Sequence, residues 1–263
     1  MAGPIAFMRP MFAHKLHLPP ILSRSLVFAV LLGAWEMASM AGMIGRFIAP
    51  PPSEIFPAIH LLYAQNNLVA RFFLTFGQVF AAAGIGVIAG MAIGWWLHHD
   101  KIAGKAFTDW FAAIAAAPLV LLFPLFLVLF GRNAGTIVAM GAVAALPPMI
   151  LKTKEGLDNV RAVLIDVGRT FGLTRWQQMH MILFPAALPT IFTGIRLGLI
   201  FALINVVGVE YLIGFGGMGL MISELGDRFE IPGMYASILF VVICSASFFY
   251  LTERLEKWLL SAR

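Results

Sequence analysis

Apolar residues run almost without interruption through six stretches of this chain, and charged residues collect between them. Each stretch is close to the roughly 20 residues that a helix needs to cross a lipid bilayer. The six stretches are residues 26–44, 72–97, 106–130, 134–151, 186–213 and 233–251. The pattern therefore predicts an all-α membrane protein with about six transmembrane helices.

The composition excludes a soluble protein of this length. Hydrophobic residues make up 60% of the 263 positions and charged residues only 12%, whereas charged residues are about a quarter of a soluble domain. Residues 1–24 contain several prolines among scattered basic residues, which indicates a cytoplasmic tail. No linker divides the remainder, so we expect one transmembrane domain over residues 25–263.

The basic residues predict the orientation, because lysine and arginine are retained on the cytoplasmic side of a membrane. With the N-terminus inside, thirteen of the 18 Lys and Arg residues face the cytoplasm, Arg196 lies within a span, and only Arg46, Arg71, Arg132 and Arg228 face outside. We therefore expect both termini and a loop at about residues 152–185 to be cytoplasmic. The net charge of +5 then reflects topology and contact with anionic membrane lipid, and it gives no reason to propose nucleic acid as a partner.

The loop at about residues 152–185 has the pattern of a helix, a corner and a second helix. Apolar residues recur at three- and four-residue steps, as on one face of a helix. These are Leu157, Val160, Leu164, Val167 and Phe171. Gly172 is expected to end that helix, since glycine adopts the left-handed C′ conformation without penalty. Thr174 with Gln177 three residues later is typical of a capping box that starts the next helix.

The residues of this loop also follow a recognisable spacing. They are Asp166, Val167 and Gly168, then Gly172, then Ile182, Leu183, Phe184 and Pro185. The spacing resembles the cytoplasmic loop of ABC importer permeases, whose usual pattern is Glu-Ala-Ala, three residues, Gly, nine residues and Ile-x-Leu-Pro. The chain departs from it with Asp for Glu, Val-Gly for Ala-Ala and Phe184 for Leu. The resemblance implies that this loop, with the neighbouring Arg169, docks into a cleft of a separate ATPase subunit.

Further residues resemble the nitrate, sulfonate and taurine branch of these permeases. They are Phe123, Pro124, Leu125, Phe130 and Gly131, Glu210 before a glycine-rich turn, and the run Gly217, Met218, Gly219 and Leu220. The branch implies a small anion such as nitrate, a sulfonate or taurine, or a related small organic compound, as the transported solute.

The resemblance to ABC importer permeases also implies an assembly and a location. The chain would adopt the type I importer permease fold in a bacterial inner membrane, with a second permease copy as a homodimer. Two ABC ATPase subunits would bind inside, and a periplasmic solute-binding protein would deliver the solute outside. The chain itself would be a transport subunit and no enzyme, with no cofactor, because ATP and Mg belong to the partner ATPase.

Polar and small residues within the predicted spans are further site candidates. Glu210 and Asn205 lie near the outer end of the fifth span, and an ionisable group in a membrane is costly unless it faces protein or water. They are candidates for the translocation path or a gate, although Glu210 could instead extend to the lipid headgroups. Gly86, Gly90 and Gly94 form a four-residue stripe that favours close helix packing in lipid.

Sequence motifs for other chemistries fail in context. Residues 214–219 match G-x-G-x-x-G, but the run follows a membrane helix instead of a strand, so we expect a flexible outer turn. The chain contains no phosphate-binding G-x-x-x-x-G-K-[ST] motif and no H-E-x-x-H metal motif. An ion-coupled secondary transporter remains the alternative, although such proteins carry paired repeats of broken helices that we do not find here. An intramembrane enzyme would need a nucleophile-base or metal constellation that the chain lacks.

Overall fold

The computed structural model describes residues 20–261, and every regular element within that range is helical. The α-helices are α1 (Pro20–Met40), α2 (Pro52–Gln65), α3 (Leu68–His99), α4 (Lys101–Ala116), α5 (Phe123–Phe130), α6 (Ala134–Asp158), α7 (Ala162–Thr170), α8 (Arg175–Gln178), α9 (Phe184–Ile213), α10 (Met218–Asp227) and α11 (Ile231–Ser261). A 3₁₀-helix at Leu119–Leu122 precedes α5, and a π-helix at Met179–Leu183 joins α8 to α9. The prediction of an all-α membrane protein is confirmed.

The membrane-spanning elements correspond to the six predicted stretches. Among the described residues, five helical stretches are long and apolar enough to cross a membrane, and a sixth is obtained if one bent helix pair counts as a single span. The helices extend beyond the apolar stretches, since α3 begins at Leu68 and α6 continues to Asp158. The N-in, C-in orientation stays a prediction.

The third predicted span, residues 106–130, is not one continuous helix. Its two parts, α4 and the 3₁₀-helix with α5, meet at an angle of 89°. Ala117 is extended (φ −76°, ψ 144°), because the ring of Pro118 disfavours a helical conformation in the residue before it. Pro118 therefore breaks the span that the apolar stretch predicts.

Contacts divide the chain at Ser53, with one unit ending there and a second beginning at Glu54. In the first unit, the Ser53 hydroxyl donates a hydrogen bond of 2.7 Å to the carboxylate of Glu36 in α1. Of the predicted tail at residues 1–24, the first 19 residues lie outside the described residues, and residues 20–24 begin α1. All candidate site residues lie in the second unit.

The glycine stripe of α3 lies directly against α6. A β-carbon at Gly86 would be 2.6 Å from Ala145 Cβ, and one at Gly90 would be 2.8 Å from Met149 Cβ. A β-carbon at Gly94 would be 2.7 Å from both the Ile150 carbonyl oxygen and Thr153 Cβ, one turn further along α6. The two helix backbones therefore approach to a distance that only glycine allows at these three positions.

Replacing Gly90 by valine is expected to lower the free energy of unfolding by about 1–3 kcal/mol, the usual cost of overpacking. The new side chain must displace Met149, which is fully buried. Gly84 is a matched control on the same helix, because nothing lies within 4 Å of its β-carbon position. Melting temperatures of purified Gly90→Val and Gly84→Val in detergent check the prediction, and equal melting temperatures would contradict it.

Candidate docking loop and buried glutamate site

The predicted helix from Leu157 to Phe171 is wrong as a single element. Helix α6 ends at Asp158 and α7 begins at Ala162, with Arg161 extended between them (φ −57°, ψ 128°). Leu157 is buried in the core, whereas Phe171 is 80% exposed. The periodic apolar residues therefore belong to two helices with different surroundings.

The corner after α7 is confirmed in detail. Gly172 has a left-handed conformation with φ +70°. The Leu173 N–H donates to the Gly168 carbonyl at 3.0 Å, and the Gly172 N–H donates to the Arg169 carbonyl at 2.9 Å. These two hydrogen bonds form a Schellman motif, which satisfies the last carbonyl groups of α7 and sets the direction of the chain.

The second helix starts with the predicted capping box. The Gln177 N–H donates to Thr174 Oγ1 at 3.3 Å, and the Thr174 N–H donates to Gln177 Oε1 at 2.9 Å. From this cap, α8, the π-helix and α9 follow one another without an intervening loop. The corner therefore connects directly to a membrane-spanning helix.

Gly168 and Ile182 lie in contact and hold α7 against the π-helix. A β-carbon at Gly168 would be 2.5 Å from Ile182 Cδ1 and 3.5 Å from Leu173 Cδ1. The glycine that replaces alanine in the loop pattern thus has a packing reason. Pro185 is the second residue of α9, close to the start of the helix, where a missing N–H is best tolerated.

Helix α7 presents an exposed face that combines apolar and charged side chains. Val163, Val167 and Phe171 are exposed and recur at four-residue steps, so they share one side of the helix. Asp166 Oδ1 lies 3.1 Å from Arg169 Nη1, with the two side chains 66% and 70% exposed. The described residues of the corner thus leave a row of apolar groups and an ion pair open to a partner.

Glu210 lies in a buried hydrogen-bond cluster at the other end of α9. Its side chain is 0% exposed, and Thr75 Oγ1 of α3 donates to it with 2.9 Å to each carboxylate oxygen. The backbone N–H groups of Gly217 and Gly219 donate to it at 3.1 and 2.8 Å. Thr75 Oγ1 also accepts from the Met218 N–H at 2.8 Å. One carboxylate thereby joins α3, α9 and the start of α10.

The close approach in this cluster requires glycine at two positions. A β-carbon at Gly217 would collide with Thr75 Oγ1, and one at Gly219 would lie 2.6 Å from Glu210 Cβ. Helix α10 begins at Met218, so the run that was expected to be a flexible turn ends inside a helix. The cluster ties this turn to α3 and α9.

The two predicted path residues are not joined by a hydrogen bond. Asn205 Nδ2 donates to the Phe201 carbonyl at 3.1 Å, and Asn205 Oδ1 is buried without a partner among residues 20–261. The alternative that Glu210 extends to the lipid headgroups is wrong, because the side chain is fully buried. A path or gate role for either residue stays a prediction.

Thr75 and the ion pair beside it were missed in the sequence. Arg71, one turn before Thr75 on α3, places Nη2 2.8 Å from Glu224 Oε2 of α10. These partners are separated by about 150 positions in the sequence. The only sequence signal was polar residues one turn apart near the start of an apolar helix.

Metal ligands do not converge in the part of the chain that the structure describes. No three His, Cys, Asp or Glu side chains come together there. His98 Nδ1 lies 2.6 Å from Asp158 Oδ1, but Lys154 Nζ lies 2.7 Å from the other carboxylate oxygen. The Asp158 carboxylate thus contacts a lysine ammonium group through one oxygen and His98 through the other.

Comparisons with known proteins give one consistent result. The family described as binding-protein-dependent transport system inner membrane component matches residues 82–261. A Bacillus subtilis protein named as an aliphatic sulfonates transport permease, SsuC, is 26% identical over 88% of this chain and 85% of its own length. The formylaminopyrimidine transport permease ThiX of Halalkalibacterium halodurans is 25% identical over 92% and 96%. Among solved structures, an inward-facing form of the MetNI methionine ABC transporter has a TM-score of 0.61 at 20% identity, covering 74% of this chain and 95% of its own.

Proposed function

Since this chain belongs to the family of binding-protein-dependent transport system inner membrane components, we propose that its α6–α9 loop docks on a separate ATPase subunit and drives alternating access. The chain is the multi-pass, inner-membrane permease subunit of an ABC importer. Because the chain belongs to this family, it is not interpreted as a secondary transporter or an intramembrane enzyme. The residues that dock, the solute and the assembly are the proposal.

The observation that carries the docking role is the exposed face of α7 on a braced corner. Apolar side chains such as Phe171 gain free energy when a partner covers them, and Asp166 with Arg169 adds charges of both signs beside them. The Schellman motif and the capping box hold this face in one orientation. A docking surface of this kind binds a cleft without having to order a flexible loop first.

The same elements provide a mechanical route across the membrane. Helix α9 runs for 30 residues from Phe184, next to the docking corner, to Ile213, just beyond Glu210, a length of about 45 Å at 1.5 Å per residue. When ATP binding closes the ATPase pair, the two docking loops move together and displace the inner ends of both α9 helices. The hydrogen-bonded turn at Gly217 moves with the outer end, which favours the outward-open state.

The remaining partners follow from the same reading. ATP and Mg bind the partner ATPase, in keeping with the lack of a phosphate-binding motif in this sequence. A second copy of the chain completes the translocation path as a homodimer. A periplasmic solute-binding protein docks on the side opposite the α6–α9 loop.

The solute class rests on the relatives and on the branch resemblance. SsuC is named for aliphatic sulfonates and ThiX for formylaminopyrimidine. We assign this permease a small organic solute, with an organosulfonate-like anion in first place. Mass spectrometry of the ligand retained by the binding protein identifies it directly.

Asp166→Asn is expected to weaken ATPase docking while leaving the fold intact. The ion pair with Arg169 is exposed and lies within one helix, so its loss costs at most about 0.5 kcal/mol of stability. Loss of the charge removes an attraction to a cationic group in the ATPase cleft. Co-purification of the ATPase subunit and solute-stimulated ATP hydrolysis in proteoliposomes measure the effect.

Asp166→Glu is the matched control, because it retains the carboxylate, and it is expected to keep most of the activity. If Asp166→Asn assembles with the ATPase and couples hydrolysis like the wild type, Asp166 is an ordinary solvated charge without a docking role. If ATP hydrolysis by the complex is unaffected by substitutions in the loop and by the solute, the loop does not have the proposed docking role.

A further inference from the structure

We propose that a groove between α3, the end of α6 and the π-helix holds one acyl chain of an anionic phospholipid. The groove has a volume of 470 Å³, and its lining is almost entirely apolar. Ile88, Met91 and Trp95 contribute the α3 wall, and Trp176 contributes the opposite wall. It lies on the docking-loop side of the membrane, and its lining does not include the exposed α7 residues Val163, Val167 and Phe171.

A buried hydroxyl group without a hydrogen-bond partner lies in the wall of the groove. Thr153 lines the groove, is 1% exposed, and its Oγ1 has no hydrogen-bond partner among residues 20–261. Burying a hydroxyl group without a partner is unfavourable. Because Oγ1 has almost no exposed surface, rotation of the Thr153 side chain would bring it to the groove, where an acceptor atom such as the ester carbonyl of a phospholipid would satisfy it.

The depth of the groove matches the order of groups along a phospholipid. Gly94 faces Thr153, since a β-carbon there would lie 2.7 Å from Thr153 Cβ, so the hydroxyl is at the level of Trp95. Trp95 and Trp176 are both exposed, and tryptophan concentrates at the headgroup level of membranes. From Trp95 to Ile88 the groove runs about 10 Å further along α3. The polar group thus lies at the interface and the apolar wall continues toward the bilayer centre.

The charge beside the groove favours an anionic headgroup. Arg175 directly precedes Trp176, is exposed, and its side chain pairs with no carboxylate among the described residues. Basic residues near the surface attract anionic lipids. An anionic phospholipid is therefore expected to bind in the groove more tightly than a zwitterionic one.

Occupancy of the groove would brace the docking corner. Met179 and His180 of the π-helix form part of its wall, and His180 Nδ1 lies 3.1 Å from the Trp176 carbonyl. Single π-helical turns within helices occur frequently at functional sites. A chain held here would fill the space between α3 and the segment that leads from the corner into α9.

Filling the groove tests the proposal directly. Ala92 is exposed and lines the groove, so Ala92→Phe occupies it without entering the core. Ala81 is exposed on the same helix outside the groove, which makes Ala81→Phe the matched control. Native mass spectrometry of the delipidated full-length chain, titrated with phosphatidylglycerol or phosphatidylcholine, measures lipid binding without requiring transport.

Wild type and Ala81→Phe are expected to retain one phosphatidylglycerol roughly tenfold more tightly than Ala92→Phe does. Thr153→Val is expected to weaken retention about two- to tenfold, the value of one hydrogen bond, and Thr153→Ser to preserve it. Equal retention in all variants, or equal retention of phosphatidylcholine, would overturn the assignment. A lipid-free dimer that Ala92→Phe dissociates would assign the groove to a second copy instead.

Discussion

Gly172→Val is expected to abolish solute import while the protein still inserts into the membrane at normal levels. Gly172 has φ +70°, and a β-branched residue in this conformation costs at least 1 kcal/mol by an order-of-magnitude estimate. The chain can relieve that strain only by giving up the Schellman hydrogen bonds to Gly168 and Arg169, which reorients α7 against α9. Uptake of the solute by cells with matched permease levels measures the loss.

Gly172→Asn is the matched control for conformation, since asparagine tolerates the left-handed region. Nothing lies within 4 Å of the β-carbon position at Gly172, so neither substitution creates a collision. We expect Gly172→Asn to import at close to the normal rate. Normal uptake by Gly172→Val would show that the geometry of the corner does not control transport.

Glu210→Leu is expected to destabilise the folded protein by several kcal/mol. The substitution leaves the N–H groups of Gly217 and Gly219 without acceptors, and each buried unsatisfied group costs about 1–3 kcal/mol. Glu210→Gln should cost less, about the value of one such group, because its amide oxygen still accepts from one of these donors. Thermal unfolding in detergent, followed by the recovery of folded protein, measures both effects.

Glu230→Gln is the control for removing a negative charge on the same side of the protein, since Glu230 is exposed. We expect its melting temperature to equal that of the wild type. If Glu210→Leu melts like Glu230→Gln, the cluster does not hold the outer turn. A Glu210→Gln variant with normal stability but altered transport would instead support the predicted gate.

The docking corner could be predicted from the sequence because its determinants are local. Gly172, Thr174 and Gln177 act within a few residues of one another, through backbone conformation and capping hydrogen bonds. The break between α6 and α7 could not be predicted in this way, because its cause is not local. Leu157 and Phe171 fit one helical period, and only the burial of Leu157 against distant residues separates them.

The sequence by itself determined the six apolar stretches, the helical class and the loop pattern, because the hydrophobic thickness of a bilayer and the chemistry of helix ends act on neighbouring residues. Tertiary structure alone decided that Glu210 is buried and which groups bind it. Thr75 is 135 positions away, and no local pattern links them. A carboxylate becomes a structural centre only when distant helices bring donors to both of its oxygens, and that depends on how α3, α9 and α10 pack.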